Sequence, residues 1–249
     1  MLTTRTETLA EGITIHMGDC RDVLPTLARA DAVVTDPPYG VELIAKQNKW
    51  VKNEGEGYAS TDDTPEFIKT VCVPAIEAAI ALVRNVVVTP GTRNTFLYPA
   101  PDAIGGIFNP NGAGSGRWGF ECLAPVLYYG KDPYFATGQG RRPNSWEQPA
   151  NDYALKNGHP CPKPIGMMRW LVQRASLPGE TVLDLFMGSG TTGVACVQLG
   201  RKFIGIEREP RYFDIARAQI SDALNRPDLF IEKPAREKPP QLQLTTGRP

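Results

Sequence analysis

The stretch Thr181-Val-Leu-Asp-Leu-Phe-Met-Gly-Ser-Gly190 decides the fold of this chain, because it joins a buried apolar strand to a glycine-rich turn. Residues 181–186 predict the strand, and residues 191–199 predict the helix that the turn opens. A second strand is predicted over 202–207, and its last residue, Glu207, lies 19 positions after Gly188 (207 − 188). Strand, glycine turn, helix and a strand ending in an acid together match the nucleotide-binding pattern of α/β folds.

Strands and helices alternate along most of the remaining chain. Apolar alternation and short apolar runs predict further strands over residues 12–19, 32–35, 85–89 and 118–129. Apolar stripes and capping residues predict helices over residues 22–30, from 63 or 64 onward, over about 164–176 and over 211 to about 224. This order implies an α/β fold: a doubly wound, mostly parallel sheet with helices on both faces and with loop insertions.

The length of 249 residues fits one such domain. We expect residues 1–229 to form it, with a long, polar, lid-like loop at 41–63 and a disordered tail, rich in proline and charge, at 230–249. No apolar run approaches the roughly 20 residues that span a bilayer, and residues 1–11 lack the apolar stretch of a signal peptide. The sequence therefore predicts a cytoplasmic protein with no membrane partner.

The numbers of cysteine, histidine and charged residues argue against several kinds of site. The five cysteines are scattered without a CxxC pair, and His16 and His159 are the only histidines, so we expect neither a metal site nor a disulfide framework. Lys and Arg total 27 and Asp and Glu total 27, which gives a net charge of zero. A nucleic-acid face would therefore have to come from local clusters of basic residues.

Two classes of ligand fit the glycine loop. Taken alone, the loop and Glu207 satisfy the dinucleotide pattern, so an NAD(P)- or flavin-dependent oxidoreductase is the first alternative. Asp184 argues against it, because a carboxylate beside the helix N-terminus would repel a pyrophosphate. S-adenosylmethionine has no phosphate and carries two positive charges, which suit that carboxylate. Glu207 would then bind its ribose.

The tetrapeptide Asp36-Pro-Pro-Tyr39, at the end of the predicted strand 32–35, is typical of a clamp for an exocyclic amine. The amino nitrogen of adenine or cytosine is a poor nucleophile, because its lone pair is delocalised into the ring. Two acceptors for its N–H groups, the Asp36 carboxylate and the Pro37 carbonyl, would favour a localised lone pair, and Pro38 restricts that carbonyl. Tyr39 offers a face for stacking an extruded base, worth roughly 1–3 kcal/mol. The plain alternative is a turn that ends a strand.

With these motifs the chain resembles the S-adenosylmethionine-dependent DNA amino-methyltransferases, in the permuted (β-class) group whose tetrapeptide precedes the cofactor loop. Here it precedes Asp184 by 148 residues (184 − 36). The resemblance covers most of residues 12–224 and implies a circularly permuted, Rossmann-like methyltransferase fold with S-adenosylmethionine as cofactor. It places Asp19 near the adenine of the cofactor, and Lys163, in His159-Pro-Cys-Pro-Lys163, near its methionine part. The cofactor-binding residues that we expect are Asp19, Lys163, Asp184, Phe186, Gly188, Ser189, Gly190, Thr191 and Glu207.

The resemblance also bears on the target. In that family an aspartate in the tetrapeptide goes mostly with N6 of adenine and a serine with N4 of cytosine, so Asp36 favours adenine and leaves cytosine as the alternative. The implied partner is double-stranded DNA, as in restriction-modification systems. Candidate phosphate contacts are Lys46, Lys49, Lys52, Arg141 and Arg142. The segment expected to recognise the target, 131–158, is short, so a homodimer or the loop at 41–63 would have to complete that surface.

Other classes stay open at this point. The chain could be a catalytically inactive nucleotide- or DNA-binding module, which a methyl-transfer assay with Asp36→Ala as control would reveal. Pro160-Cys161 resembles the nucleophile dipeptide of cytosine-C5 methyltransferases, but it precedes the glycine loop by 23 residues (184 − 161) where those enzymes have it after the loop. We therefore expect Cys161 to be a packed thiol. Enzymes that methylate RNA or a glutamine amide more often carry asparagine where this chain has Asp36.

Overall fold

The computed structural model describes residues 5–27, 29–40, 63–112, 115–116, 118–149, 152 and 162–226. Its strands are β1 (Arg5–Ala10), β2 (Ile13–Met17), β3 (Ala32–Thr35), β4 (Asn85–Val88), β5 (Ala103–Phe108), β6 (Ser115–Gly116), β7 (Gly119–Phe120), β8 (Leu123–Tyr129), β9 (Ser145–Glu147), β10 (Thr181–Asp184) and β11 (Lys202–Glu207). Its α-helices are α1 (Cys20–Val23), α2 (Pro65–Phe67), α3 (Val73–Leu82), α4 (Ile165–Ala175), α5 (Thr191–Gln198) and α6 (Pro210–Asn225). A π-helical turn, Ile68–Cys72, joins α2 to α3, and 3-10 turns lie at Leu24–Thr26, Thr95–Leu97 and Phe135–Thr137.

One sheet of nine described strands runs through the molecule in the order β1-β2-β11-β10-β3-β4-β8-β5-β9. Its centre, from β2 to β4, is parallel, while β8 is antiparallel to both β4 and β5. The strand of the glycine loop, β10, pairs directly with the strand of the tetrapeptide, β3, with Val182 opposite Ala32. The predicted α/β fold with a mostly parallel sheet is confirmed.

Side chains of the central strands alternate between two apolar clusters, one on each face of the sheet. Val34 and Val182 pack on the side of α4, α5 and α6, whereas Val33 and Leu183 pack on the side of α1 and α3. Because β3 is buried on both faces of the sheet, residues 32–35 form a continuous, mostly apolar run in the sequence. Helices therefore cover both faces, as the sequence predicts.

Three predictions of secondary structure differ from what the structure shows. The helix predicted over 22–30 is instead the short α1, which Asp19 caps, and a 3-10 turn at Pro25 leads it into extended backbone at Leu27. The strand predicted over 118–129 is divided into β7 and β8. The segment at 131–158, predicted to be irregular, contains β9, which adds a strand to the edge of the sheet beside β5.

Several predictions fall outside the described residues: the loop at 41–62 with Lys46, Lys49 and Lys52, the pair His159 and Cys161, and the tail beyond 226. Among the helices that the structure describes, none has the length and apolar character needed to cross a membrane. In the same part of the chain, no three His, Cys, Asp or Glu side chains are grouped so that they could hold a metal ion.

Candidate active site

A cleft opens where β3, β10 and β11 end. These neighbouring strands are parallel, so their carboxyl ends and the loops that follow meet at one edge of the sheet. The cleft is lined by most of the residues predicted from sequence, namely Asp19, Asp36, Pro37, Pro38, Tyr39, Lys163, Asp184, Phe186, Gly188, Ser189, Thr191 and Glu207. Residues as far apart in sequence as Asp19 and Glu207 thus share one site.

Gly190 is a predicted cofactor-binding residue that does not line the cleft. Its backbone has φ of +84°, and a β-carbon at this position would lie 2.8 Å from that of Ala216 on α6. The residue is therefore needed for the turn and for the close approach of α6 to the loop. Its expected contact with a cofactor gains no support from this position.

Glu207 is buried at the end of β11 and holds the glycine loop in place. Its two carboxylate oxygens accept hydrogen bonds from the backbone N–H groups of Gly188 and Glu209, each at 2.8 Å. Burial raises the pKa of this carboxyl to about 7, and the backbone donors counteract only part of that effect. Because a carboxylate oxygen can accept more than one hydrogen bond, Glu207 retains acceptor capacity for a hydroxyl group in the cleft.

Four backbone N–H groups of the glycine loop are used within the protein. Gly188 donates to Glu207, Phe186 donates to the Asp184 carboxylate, and Met187 and Gly190 donate to backbone carbonyls. A loop that cradles a pyrophosphate needs such groups free. These four groups are thus not available to a pyrophosphate, and the negative charge of Asp184 argues in the same direction.

Asp184 itself is buried and fully hydrogen-bonded. Its carboxylate accepts the hydroxyls of Thr35 at 2.7 Å and Thr192 at 2.5 Å, as well as the N–H of Phe186. Burial raises its pKa to about 6. The side chain thus ties β3, α5 and the glycine loop together, and it would act on a cationic ligand mainly through its charge.

The tetrapeptide at the end of β3 forms the second half of the cleft. One oxygen of Asp36, Oδ1, accepts hydrogen bonds from the Tyr39 hydroxyl at 2.6 Å and from the Thr89 hydroxyl at 2.5 Å. The other oxygen, Oδ2, lies 2.7 Å from the ammonium nitrogen of Lys163. That nitrogen also lies 4.5 Å from the centre of the Tyr39 ring. Burial and the neighbouring carboxylate raise the pKa of Tyr39, so its hydroxyl stays protonated and donates.

The loop after β4 supports the tetrapeptide from behind. Gly91 lies against the Tyr39 ring so closely that a β-carbon there would be 2.8 Å from the ring. The side-chain amide of Asn94 donates to the Tyr39 carbonyl at 2.6 Å, and the Gly40 N–H donates to Asp63 at 2.7 Å. Sequence reasoning missed Thr89 and Asn94. The sequence offered a signal for both, because Thr89 ends, and Asn94 closely follows, a predicted strand that would lie parallel to the strand of Asp36.

Two other predicted residues have defined partners. Asp19 caps α1 and pairs with the Arg21 side chain, which holds the pKa of the Asp19 carboxyl below its usual range. Arg142 pairs with Asp132 at 2.5 Å and stacks over Tyr134, while Arg174 binds the other oxygen of Asp132. Two guanidinium groups thus share one carboxylate, so the cluster of Arg142, Arg174 and Asp132 keeps a net positive charge. Arg141 is exposed, and its contact with DNA stays a prediction.

Comparison with known proteins finds similarity to DNA methyltransferases. A family model described as DNA methylase, of the N6/N4 methyltransferase type, matches residues 128–218. The chain is 23% identical to Type II methyltransferase M.HinfI of Haemophilus influenzae, in an alignment that covers 94% of this chain and 75% of that protein. It is 44% identical to Type II methyltransferase M2.DpnII of Streptococcus pneumoniae over 62 residues, or 25% of this chain and 23% of that protein.

Over residues 128–218 the chain matches the amino-methyltransferase family. Two solved structures share the fold of this methyltransferase. The crystal structure of the M1.HpyAVI-SAM complex matches with a TM-score of 0.59 at 21% identity, covering 83% of this chain and 98% of that one. The cytosine-N4-specific PvuII DNA methyltransferase matches with a TM-score of 0.58 at 17% identity, covering 86% and 91%.

The methyl donor of this family is S-adenosylmethionine, and the cleft of the methyltransferase fits it. Glu207 offers acceptors for ribose hydroxyls, Asp184 and Asp36 supply negative charge for a cationic group, and Lys163 supplies an ammonium for a carboxylate. When bound, the cofactor supplies an electrophilic methyl group on sulfur.

The cofactor-free methyltransferase should become less stable as pH rises from about 4.5 to 7. The pKa of Glu207 is raised from 4.5 to about 7 and that of Asp184 from 3.8 to about 6. Between these values the folded protein binds more protons than the unfolded chain, so the free energy of unfolding falls with pH and levels off above 7. The measurement is urea unfolding across this range for the wild type and for Glu207→Gln. The free energy of unfolding should fall less steeply with pH in the variant than in the wild type. Equal slopes would contradict the raised pKa of Glu207.

Thr89→Val should lower kcat about tenfold with little effect on cofactor affinity. The substitution keeps the shape of the side chain but removes the hydroxyl that holds Asp36 Oδ1, and a hydrogen bond to a charged group is worth about 1.5–3 kcal/mol. Thr89→Ser, which retains the hydroxyl, should restore most of the rate. Steady-state kinetics of both variants tests this role. A Thr89→Val enzyme with unchanged kcat would show that Asp36 is positioned without this bond.

Proposed function

We propose that this methyltransferase transfers a methyl group from S-adenosylmethionine to the exocyclic amine of a base flipped out of double-stranded DNA, with N6 of adenine as the target. The observation that carries the proposal is the position of the Lys163 ammonium. It donates to Asp36 Oδ2 at 2.7 Å and lies 4.5 Å from the centre of the Tyr39 ring. The same pocket can thus hold an N–H donor against a carboxylate and beside an aromatic ring, which is what an extruded amino-base requires.

The proposed roles follow from these contacts. The amine of the base donates one hydrogen to Asp36 and one to the Pro37 carbonyl, and its ring stacks on Tyr39. Thr89 and Tyr39 fix the carboxylate through Oδ1, which leaves Oδ2 for the incoming amine. The amino nitrogen then bonds to the methyl carbon as the bond from carbon to sulfur breaks, and the nitrogen loses a proton to Asp36 or to water. The acceleration of the reaction comes from the positioning of the reacting groups and from charge complementarity with the site.

Lys163 must leave Asp36 before the amine can bind there. We assign it to the carboxylate of the methionine part of the cofactor, with Ser189 and Thr191 beside that part and Glu207 on the ribose. Asp19 and Phe186 line the cleft where the rest of the nucleoside would lie. Binding of the cofactor would then free Asp36 for the base.

Adenine is proposed over cytosine because the tetrapeptide begins with aspartate, as it mostly does in enzymes of this family that act on adenine. N4 of cytosine is the second candidate, since a structure with the same fold is that of a cytosine-N4-specific enzyme. The clamp has the same chemistry for either base, since each presents an exocyclic amine next to a ring nitrogen. The loop at 41–63 and the segment at 131–158 remain our candidates for recognition of the sequence.

Transfer of labelled methyl groups from S-adenosylmethionine tests the proposal. Unmethylated duplex DNA, RNA and a protein mixture are offered separately, with Asp36→Ala as the control. We expect label in DNA alone and none with the variant. Binding of the cofactor without transfer to any DNA would make the chain an inactive binding module and would end the proposal.

A further inference from the structure

Three aromatic side chains are exposed in the loop after β4 and in the hairpin of β6 and β7. Phe96 is 94% exposed, Trp118 is fully exposed and Phe120 is 83% exposed. Large apolar side chains left in water to this extent mark a surface that another molecule covers. We call the surface formed by these three residues and Arg93 the aromatic rim.

Hydrogen bonds connect the rim to the pocket proposed for the target base. Phe96 lies in the 3-10 turn Thr95–Leu97, two residues after Asn94, whose amide donates to the carbonyl of Tyr39 at 2.6 Å. The turn is braced by Thr95, whose hydroxyl donates to the Gly91 carbonyl at 2.6 Å. Two residues of chain span at most about 7 Å, so the backbone of Phe96 must lie close to the clamp.

A second segment joins the rim through a hydrogen bond between loops. The Thr92 hydroxyl donates to the Glu121 carboxylate at 3.2 Å, and Glu121 directly follows Phe120 at the end of β7. The hairpin of β6 and β7, which carries Trp118 and Phe120, is thereby connected to the loop of Phe96. The loop that supports the tetrapeptide is thus joined to the hairpin that carries Trp118 and Phe120.

Arg93 gives the rim a positive charge. It is exposed, and in the described ranges it forms no ion pair. The nearby acid, Glu121, accepts a hydrogen bond from Thr92. A cation beside unstacked aromatic rings suits nucleic acid, where guanidinium groups contact phosphates and aromatic rings stack on bases. Protein–protein interfaces are also rich in Phe, Trp and Arg, so a second copy of the chain is the competing occupant, and the oligomeric state is measured below.

We propose that the aromatic rim is a DNA-binding surface that contacts the duplex beside the flipped base, with Arg93 on a phosphate and Phe96 stacked on a neighbouring base. The inference rests on the proposed function. Extrusion of a base leaves a gap in the stack, and an apolar wedge that fills such a gap stabilises the open duplex. A wedge tied to Tyr39 would couple opening of the duplex to capture of the base.

The experiment uses the full chain with four variants. Phe96→Ala and Arg93→Gln alter the rim, while Leu82→Ala and Arg29→Gln are matched controls. Leu82 is 62% exposed, and both control residues precede the starts of β4 and β3, at the edge of the sheet opposite the cleft. Fluorescence anisotropy measures duplex affinity across salt concentrations, labelled methyl transfer gives KM for DNA, and calorimetry gives cofactor affinity.

We expect Phe96→Ala to raise the KM for DNA about tenfold, the scale set by the loss of one stacking side chain. Arg93→Gln should lower the slope of log affinity against log salt by about one. Cofactor affinity and Tm should match the wild type, because neither residue lines the cleft.

If both rim variants behave like their controls, the inference is wrong. It is equally overturned if they change only the oligomeric state in light scattering, since the rim would then be a contact between copies. Failure of the wild type to methylate DNA would instead count against the proposed function, while the binding measurement would still test the rim.

Discussion

Asp36→Ala should lower kcat by about 10³-fold or more while the affinity for S-adenosylmethionine stays within a few-fold of the wild type. The variant removes the carboxylate that accepts the ammonium of Lys163 in the free protein and, in our proposal, the amine of the base. The hydroxyls of Thr89 and Tyr39 lose their shared acceptor at the same time. Without this acceptor the lone pair of the amine stays delocalised in the ring, so the chemical step fails.

Asp36→Asn serves as the graded control for that result. Its amide keeps the volume of the side chain and retains one acceptor oxygen, so its kcat should fall between those of the wild type and Asp36→Ala. Single-turnover rates and calorimetric cofactor affinities measure the two effects separately. If Asp36→Ala loses cofactor binding as severely as turnover, then Asp36 belongs to the cofactor site and the clamp is misassigned.

Glu207→Gln should weaken binding of S-adenosylmethionine by about 10- to 100-fold, since a hydrogen bond to a charged acceptor is worth about 1.5–3 kcal/mol. The wild-type carboxylate already accepts from Gly188 and Glu209, and its remaining lone pairs are the acceptors proposed for the ribose. An amide supplies only one acceptor oxygen to replace two. At saturating cofactor the kcat should stay close to that of the wild type, because the clamp is untouched.

Glu209→Gln is the matched control for this change. Glu209 also lines the cleft, but its contact with Glu207 is made by its backbone N–H, which the substitution keeps. Its cofactor affinity should therefore match that of the wild type. Equal cofactor affinities for Glu207→Gln and the wild type, measured calorimetrically, would mean that the ribose is bound elsewhere.

The sequence was sufficient to predict the parallel core and the partners across the cleft. Asp36 and Glu207 both end short apolar strands, and a parallel sheet brings such ends to one edge, so their proximity followed from pattern alone. The glycine turn could also be predicted, because Gly188 and Gly190 allow backbone conformations that other residues avoid.

What the sequence could not supply was the pairing of side chains between neighbouring elements. The bond from Thr89 to Asp36 depends on the register of β3 against β4, and the Lys163 contact depends on how the chain enters α4. The state of Asp184 illustrates the same limit. Its role was predicted from its charge alone, whereas its burial under Thr35 and Thr192 arises only when β3, β10 and α5 pack together.

Mass spectrometry of nucleosides tests the central claim most directly. Unmethylated duplex DNA is incubated with the protein and S-adenosylmethionine carrying a labelled methyl group, then digested to nucleosides. We predict label on an exocyclic amine, with N6-methyladenine as the product and N4-methylcytosine as the second candidate. Label on a ring carbon, or none in any nucleoside while the protein binds the cofactor, would contradict amine methylation by this site.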